Sequence, residues 1–442
     1  MPYRIPLLGS RVVRILAAGL VLCGTGVSVR GQTIGLQRER GRAMLKNIKS
    51  EIQKKYYDPK YRGVDLDSLF KEADEIVKKA ESPGQIFGTI AITVLNLDDS
   101  HTFFIPPSFA ARVEYGWQMQ IIGDECRVVA VKPGSDAEAK GIKPGDLVLQ
   151  VEGVKPTRET MWKLQYLYNT LRPQPGLRTV IQKAKGEPQQ LDLMAKVTPT
   201  KRLTDLTDYN EYMKLVVDEQ RAARFFRHQF YELKDEALIW KMPAFDLEPE
   251  KVDGMMNKLR DKKSLILDLR GNGGGYEITL QRMIGNLFEK EIKLGDLVGR
   301  EESKPVVAKS RGKDIFKGEV VVLIDSESGS SAELFARVMQ LEKRGTVIGD
   351  RSAGAVMRAR QISRTEGLDT VVFYGLSVTV NDLIMSDGKS LEKLGVVPDE
   401  LVLPTAADLA ANLDPALARA AALVRLKITP EMAGALFPVE WR

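Results

Sequence analysis

Apolar and polar positions divide the 442-residue chain into stretches of different period. From Gln32 to about Pro107 the period is helical: Leu45, Ile48, Ile52 and Tyr56 recur at a spacing of three to four, as do Leu69, Ala73, Ile76 and Val77, with turns at Asp58-Pro59 and Ser82-Pro83-Gly84. From roughly Arg112 to Val197 the period shortens. Strands are predicted over 117–122, 126–131, 147–151 and 179–183, separated by Pro/Gly turns at Lys132-Pro133-Gly134-Ser135 and 141–146. A polar connector with a helical pattern, about Pro199 to Lys234, follows. It leads into a predicted strand over 238–243, a helix over 252–259, and an apolar run over 264–269 of the kind a parallel sheet buries on both faces.

A second such run, Glu319 to Asp325, stops at the small, hydroxyl-rich turn Ser326-Glu327-Ser328-Gly329-Ser330-Ser331. A helical pattern (Leu334, Phe335, Val338, Met339, Leu341) starts at once, so the stretch predicts strand, turn and helix. Such a turn lifts a serine to the rim of a sheet and aims the free N–H groups of the following helix at it, as a nucleophile and its oxyanion need. Ser330 with Glu333 three residues on also fits a capping box, in which the hydroxyl only satisfies a helix-end N–H. From these residues alone both readings stand.

The run over 264–269 ends in Arg270-Gly271-Asn272-Gly273-Gly274-Gly275-Tyr276. As a phosphate cradle it fails: Tyr276 occupies the last glycine position of G-x-G-x-x-G, and no Gly-Lys-Ser/Thr follows. Glycines also let backbone N–H groups approach a substrate carbonyl, which makes an oxyanion hole the better fit. His101, in Asp98-Asp99-Ser100-His101-Thr102, is one of two histidines with His228. A lone histidine in such a setting is more often structural than catalytic.

Composition changes the picture in three places. The chain is 43% hydrophobic and 28% charged, so it has the means to bury a core and does not read as disordered. The first 31 residues carry Arg4, Arg11, Arg14 and Arg30, no acid, and the apolar stretch Ile15 to Leu22, which is short of the ~20 residues of a membrane span. With Gly31 as a small residue for cleavage, this reads as a secretory signal peptide and predicts an exported protein, periplasmic or extracellular. Cys23 opens a lipoprotein alternative, the only route to membrane contact, but Leu22 stands where a small residue is wanted. Its removal takes four positive charges from the formal +6 and leaves +2, and with them the case for a nucleic-acid partner. Cys126 would then be the only cysteine, so neither a disulfide nor a Cys/His metal site is expected, and no cofactor is implied.

The run Ala139 to Gly153 resembles the PDZ segment that enters the strand after the first helix. Tyr115-Gly116-Trp117-Gln118 stands where such domains place the loop whose backbone amides hold a C-terminal carboxylate, the next strand pairing with the peptide by edge addition. A PDZ-shaped spacer that binds nothing is the alternative.

Asp268-Leu269-Arg270-Gly271-Asn272-Gly273-Gly274-Gly275, then Ser328-Gly329-Ser330-Ser331-Ala332-Glu333, then Leu391-Glu392-Lys393-Leu394-Gly395-Val396-Val397-Pro398-Asp399 resemble, in order, the marks of the C-terminal processing (tail-specific) serine protease family and its tricorn-like relatives. The likeness runs from about Tyr57 to the C-terminal helices. It implies an α/β protein with a ClpP/crotonase-like catalytic core (198–404, connector 198–237), an inserted, mainly β PDZ domain (108–197), an N-terminal helical segment (32–107) and a C-terminal helical tail (405–442). It selects Ser330 as nucleophile and implies an oxyanion hole from Ser331 and a glycine of the 273–275 run, Gly273 or Gly274. The chain departs from the Ser-Lys members: Ala355 occupies the lysine position, and no lysine occurs between Lys343 and Lys389. A serine hydroxyl without a neighbouring base is a poor nucleophile. Tricorn-like members use a histidine from a Ser-His pair, matching Ser100-His101, and a carboxylate to hold it, for which Glu392 matches and Asp382 competes. The resemblance thus implies a serine endopeptidase acting on proteins or peptides with free C-termini. Its rival is an inactive, protease-shaped peptide-binding scaffold.

Overall fold

The computed structural model describes residues 34–107, 111–183, 186–199, 227–300, 303–367, 372–439 and 441. The signal-peptide and Cys23 readings, and most of the connector, lie outside them. The chain divides into two compact units, one of residues 1–108, 170–172 and 359–379, the other of 109–169, 173–358 and 380–442.

The first unit holds the helices Ile34–Lys55, Leu66–Lys79 and Pro83–Leu95. Their apolar stripes (Leu45, Ile48, Ile52; Phe70, Ala73, Val77; Ile86, Ile90, Val94) are buried together, as the helical period requires. Asp65 and Ser82 cap the second and third helices, accepting from the N–H groups of Ser68 and Gln85. The first and third helices cross so closely at Gly41 that a Cβ there would come within 2.3 Å of Ile86 Cγ2. The strand Phe103–Ile105 pairs antiparallel with Gly375 to Ser377.

In the second unit, residues 117–194 form a five-stranded antiparallel sheet in the order Trp117–Ile122, Glu125–Val131, Leu147–Val151, Gly176–Gln182, Gln189–Met194. Trp117, Ile121, Val128, Ile142, Val148 and Leu177 share one core beneath it. A six-stranded sheet follows, in the order Glu400–Leu401, Thr346–Gly349, Glu319–Ile324, Ser264–Asp268, Ala237–Lys241, Gln229–Leu233. All its neighbours run parallel except the last pair. Alternate residues face two different layers. Leu265, Leu267, Val320, Val322 and Ile324 pack with Met256, Leu280 and Phe335 of the helices between the strands. Ile266, Val321 and Leu323 pack with Leu417, Ala420 and Val424 of the C-terminal helix Pro415–Leu423. The central strands Ser264–Asp268 and Glu319–Ile324 are thus covered on both sides, which explains their apolar runs.

One expectation is corrected. The described end of the connector is not helical: Gln229–Leu233 is an edge strand, antiparallel to Ala237–Lys241. A sheet edge open to an antiparallel partner overrides a weak helical pattern.

Candidate active site

Because Ser264–Asp268 and Glu319–Ile324 are adjacent and parallel, with Asp268 opposite Leu323, the loops leaving their carboxyl ends lie side by side. That is where open α/β sheets place ligands. One loop is the glycine run; the other is the serine turn.

Ser330 has φ 53° and ψ −120°, a conformation L side chains rarely adopt, immediately before the helix Ser331–Leu341. Strain of this kind persists only where the surroundings over-determine it. The other three serines of the turn spend their hydroxyls on carbonyls: Ser326 on Ile121 (2.5 Å), Ser328 on Leu269 (2.8 Å), Ser331 on Gly275 (3.2 Å). Among the described residues, Ser330 is the one of the four whose hydroxyl is not donated to a carbonyl.

Glu333 does the holding. Fully buried, it accepts on Oε2 from the N–H groups of Ser330 (3.0 Å) and Ala355 (2.8 Å), and on Oε1 from the Ser352 hydroxyl (2.6 Å) and the Gly354 N–H (2.7 Å). Burial pushes its pKa up to about 7, while these four donated hydrogen bonds pull the other way. The capping and nucleophile readings are therefore compatible. The Glu333 side chain takes the Ser330 N–H, its own N–H goes to the Ser330 carbonyl (2.9 Å), and both hold the strained residue. Sequence reasoning saw Glu333 as a spacing mark and missed Ser352 and Gly354, which lie 19 and 21 residues away.

The glycine loop presses against this turn. A Cβ on Gly274 (φ +103°) would stand 2.5 Å from Ser330 Cβ and 3.0 Å from the Ser331 nitrogen, so only glycine leaves that space open. Buried Asn272 pins the loop: its carbonyl accepts from Gly329 N–H (2.9 Å), its Nδ2 donates to the Met242 carbonyl (2.8 Å), and its Oδ1 accepts from Gly274 N–H (2.8 Å). The last bond refines the expectation for Gly274, whose N–H is already engaged and whose contribution is the empty space. The N–H groups of Gly273 and Ser331 carry no hydrogen bond among the described residues.

Nearby, Glu392 accepts from the Val356 N–H (3.1 Å), and its own N–H donates to Ser390 Oγ (3.1 Å), whose hydroxyl goes to Asp382 (2.9 Å). Ser390 thus touches the Asp382 carboxylate and the Glu392 backbone. Ala355, where the lysine is missing, accepts the Ser330 N–H through its carbonyl (2.8 Å).

His101 belongs to the first unit. Its loop is tied to buried Asp99, whose Oδ1 accepts from the N–H groups of His101 (2.9 Å) and Thr102 (2.8 Å) and from Thr379 Oγ1 (2.6 Å), and whose Oδ2 accepts from Tyr56 Oη (2.8 Å). The ring's Nδ1 lies 2.6 Å from Ser100 Oγ. Burial lowers the imidazole pKa, and the Asp99 charge partly opposes this. His228 is occupied otherwise: Nδ1 accepts from the Trp240 indole (3.0 Å), which leaves Nε2 to donate to Asp246 (2.8 Å).

In the five-stranded domain, Gly116 (φ +72°) turns the chain into the edge strand, where a Cβ would meet Ser135 Cβ at 2.5 Å. Tyr115 donates to the Tyr168 carbonyl (3.2 Å), Trp117 is core, and Gln118 is exposed. Any ligand contact from Trp117 is therefore left to its backbone.

Residues 238–402 match the model of peptidase family S41. The tail-specific protease of Haemophilus influenzae is 28% identical over 68% of this chain and 43% of its own length. The chloroplastic C-terminal processing peptidase of Tetradesmus obliquus is 24% identical over 80% of this chain and 76% of its own. The chain thus spans less than half of the first of these relatives. Among solved structures, mature CPAF complexed with lactacystin superposes with a TM-score of 0.63 at 14% identity, covering 85% of this chain and 96% of that one. The photosystem II D1 C-terminal processing protease gives 0.52 at 17%, covering 90% and 99%. These likenesses establish a shared fold.

Proposed function

We propose that this protein is an exported serine endopeptidase, with a ClpP/crotonase-like core and a PDZ insertion, that cleaves proteins or peptides recognised by their free C-termini. The observation that carries this reading is the strained Ser330, its hydroxyl not given to a carbonyl, facing the emptied flank of Gly274 and the Ser331 N–H. In the proposed reaction His101, whose pKa is lowered by desolvation, takes the Ser330 proton as Oγ attacks the scissile carbonyl. Gly273 and Ser331 N–H groups hold the oxyanion. His101 returns the proton to the leaving amine, and water, activated by the same imidazole, releases the acyl group. Glu392 orients His101 in the tricorn-like manner, with Asp382 as the alternative. The Tyr115-Gly116-Trp117-Gln118 loop receives the substrate carboxylate through backbone N–H groups.

The lysine-less position 355 favours one rival, an inactive peptide-binding scaffold. Fluorophosphonate labelling separates the two: the purified protein should be labelled, Ser328→Ala should be labelled, and Ser330→Ala should not. No label on the native protein sinks the peptidase reading. A free-acid peptide should also bind more tightly than its amide by about 1.5–3 kcal/mol in calorimetry, and equal affinities would remove the carboxylate loop.

A further inference from the structure

Among the described residues, the edge strand Trp117–Ile122 has one neighbour, Glu125–Val131, and is open on its other side. Ile122 and Glu125 flank the two-residue turn Gly123-Asp124 and pair across it, so they form the hydrogen-bonded pair and Ile121 presents its N–H and carbonyl to the open side. That outward carbonyl is already taken: Ser326, in the nucleophile turn, donates to it at 2.5 Å. One residue earlier, Gln120 Nε2 donates to Asp325 Oδ2 at 2.6 Å. Asp325 Oδ1 accepts from Gly271 and Glu327 N–H groups, both at 3.0 Å. One residue later, Gly123 N–H goes to Asp350 (2.9 Å), which Arg158 also grips with two bonds of 2.7 Å. Among the described residues, the strand edge is free at its Gly116 end and closed by the nucleophile turn at the other.

From this end-stop we infer that the protein measures its cleavage site from the substrate's free C-terminus, releasing C-terminal fragments of fixed, short length. The inference rests on the proposed carboxylate loop and goes beyond it. A peptide seated with its carboxylate at Gly116 and Trp117 runs antiparallel along the strand, so roughly four residues pair before Ser326 blocks the ladder. The peptide must then leave the edge beside the turn that carries Ser330. Ser326 and Ser330 are four residues apart, so their Cα atoms are at most ~15 Å apart, which roughly five extended residues span. The scissile bond therefore falls roughly four to nine residues from the C-terminus.

The test uses wild-type protein and two synthetic free-acid peptides that share an interior sequence, one extended by two residues at its C-terminus, with products read by mass spectrometry. The expected result is fragments inside that band and a cleaved bond that moves two residues with the extension. Cutting at the same interior bond in both peptides overturns the ruler. Ser326→Ala, labelled by fluorophosphonate like the wild type, should release fragments longer by about two residues, because the freed Ile121 carbonyl extends the ladder by one pairing step; unchanged lengths contradict the end-stop. The two readings fail differently. Hydrolysis without register removes the ruler alone, while neither hydrolysis nor label removes the peptidase and the ruler with it.

Discussion

The turn that carries Ser330 and the loop that carries His101 are each gathered around one buried carboxylate with four hydrogen-bond donors, but the two carboxylates divide those donors differently. At Glu333 each oxygen receives two, and each set includes a backbone N–H: Gly354 on Oε1, Ser330 and Ala355 on Oε2. At Asp99 three donors converge on Oδ1, and Oδ2 receives only the Tyr56 hydroxyl. A backbone N–H can only donate, whereas a hydroxyl can turn and accept. An amide in place of Glu333 must therefore aim its NH2 at an N–H whichever way it flips, while an amide in place of Asp99 can keep its oxygen on the three donors and let Tyr56 accept. Equal counts of hydrogen bonds do not mean equal tolerance.

The reacting groups set the upper limit against which this difference is measured. Ser330→Ala and His101→Ala should each lower peptide hydrolysis by about 10⁴-fold or more in steady-state assays. His228→Ala should leave the catalytic step in place, since both ring nitrogens of His228 are engaged by Trp240 and Asp246. Comparable losses at the two histidines would discard His101 as the base.

Glu333→Gln comes next. Donor facing donor should shift the Ser330 backbone, and a displacement of this kind costs on the order of 10²-fold, visible as slowed fluorophosphonate labelling of a protein that still folds. Asp99→Asn should cost less than about tenfold by the same measure, because its four donors can all be satisfied. If the two variants lose equally, the oxygen-by-oxygen accounting is wrong and net charge governs both loops.

The smallest effect sharpens the comparison through pH. A base whose folded pKa is lowered by burial is neutral over a wider range, so kcat/KM should rise with pH through a midpoint below the ordinary histidine value of about 6.5. The Asp99 charge raises the His101 pKa, so Asp99→Asn should move that midpoint to still lower pH, whereas Glu333→Gln should leave it in place. A pH–rate profile for the three proteins checks this. A midpoint above 6.5 in the wild type would contradict the downward shift of the imidazole pKa.

The strand–turn–helix at 319–341, the glycine run at 271–275 and the Ser330–Glu333 spacing were all legible in the sequence. Each depends on local physics: an unbroken apolar run marks a strand covered on both faces, as Val320 to Ile324 are, and glycine marks a backbone approach no side chain permits, as at Gly274 against Ser330. Tertiary structure decided what each group does once placed. It gave the Gly274 N–H to Asn272, put the Trp117 ring in a core, turned the described end of the connector into an edge strand, and gathered Tyr56 and Thr379 around Asp99 from 43 and 280 residues away. It also set Gln120 and Ile121 against Asp325 and Ser326 across 205 residues. Hydrogen bonds between such distant residues follow from how whole layers pack, and local period carries no record of that packing.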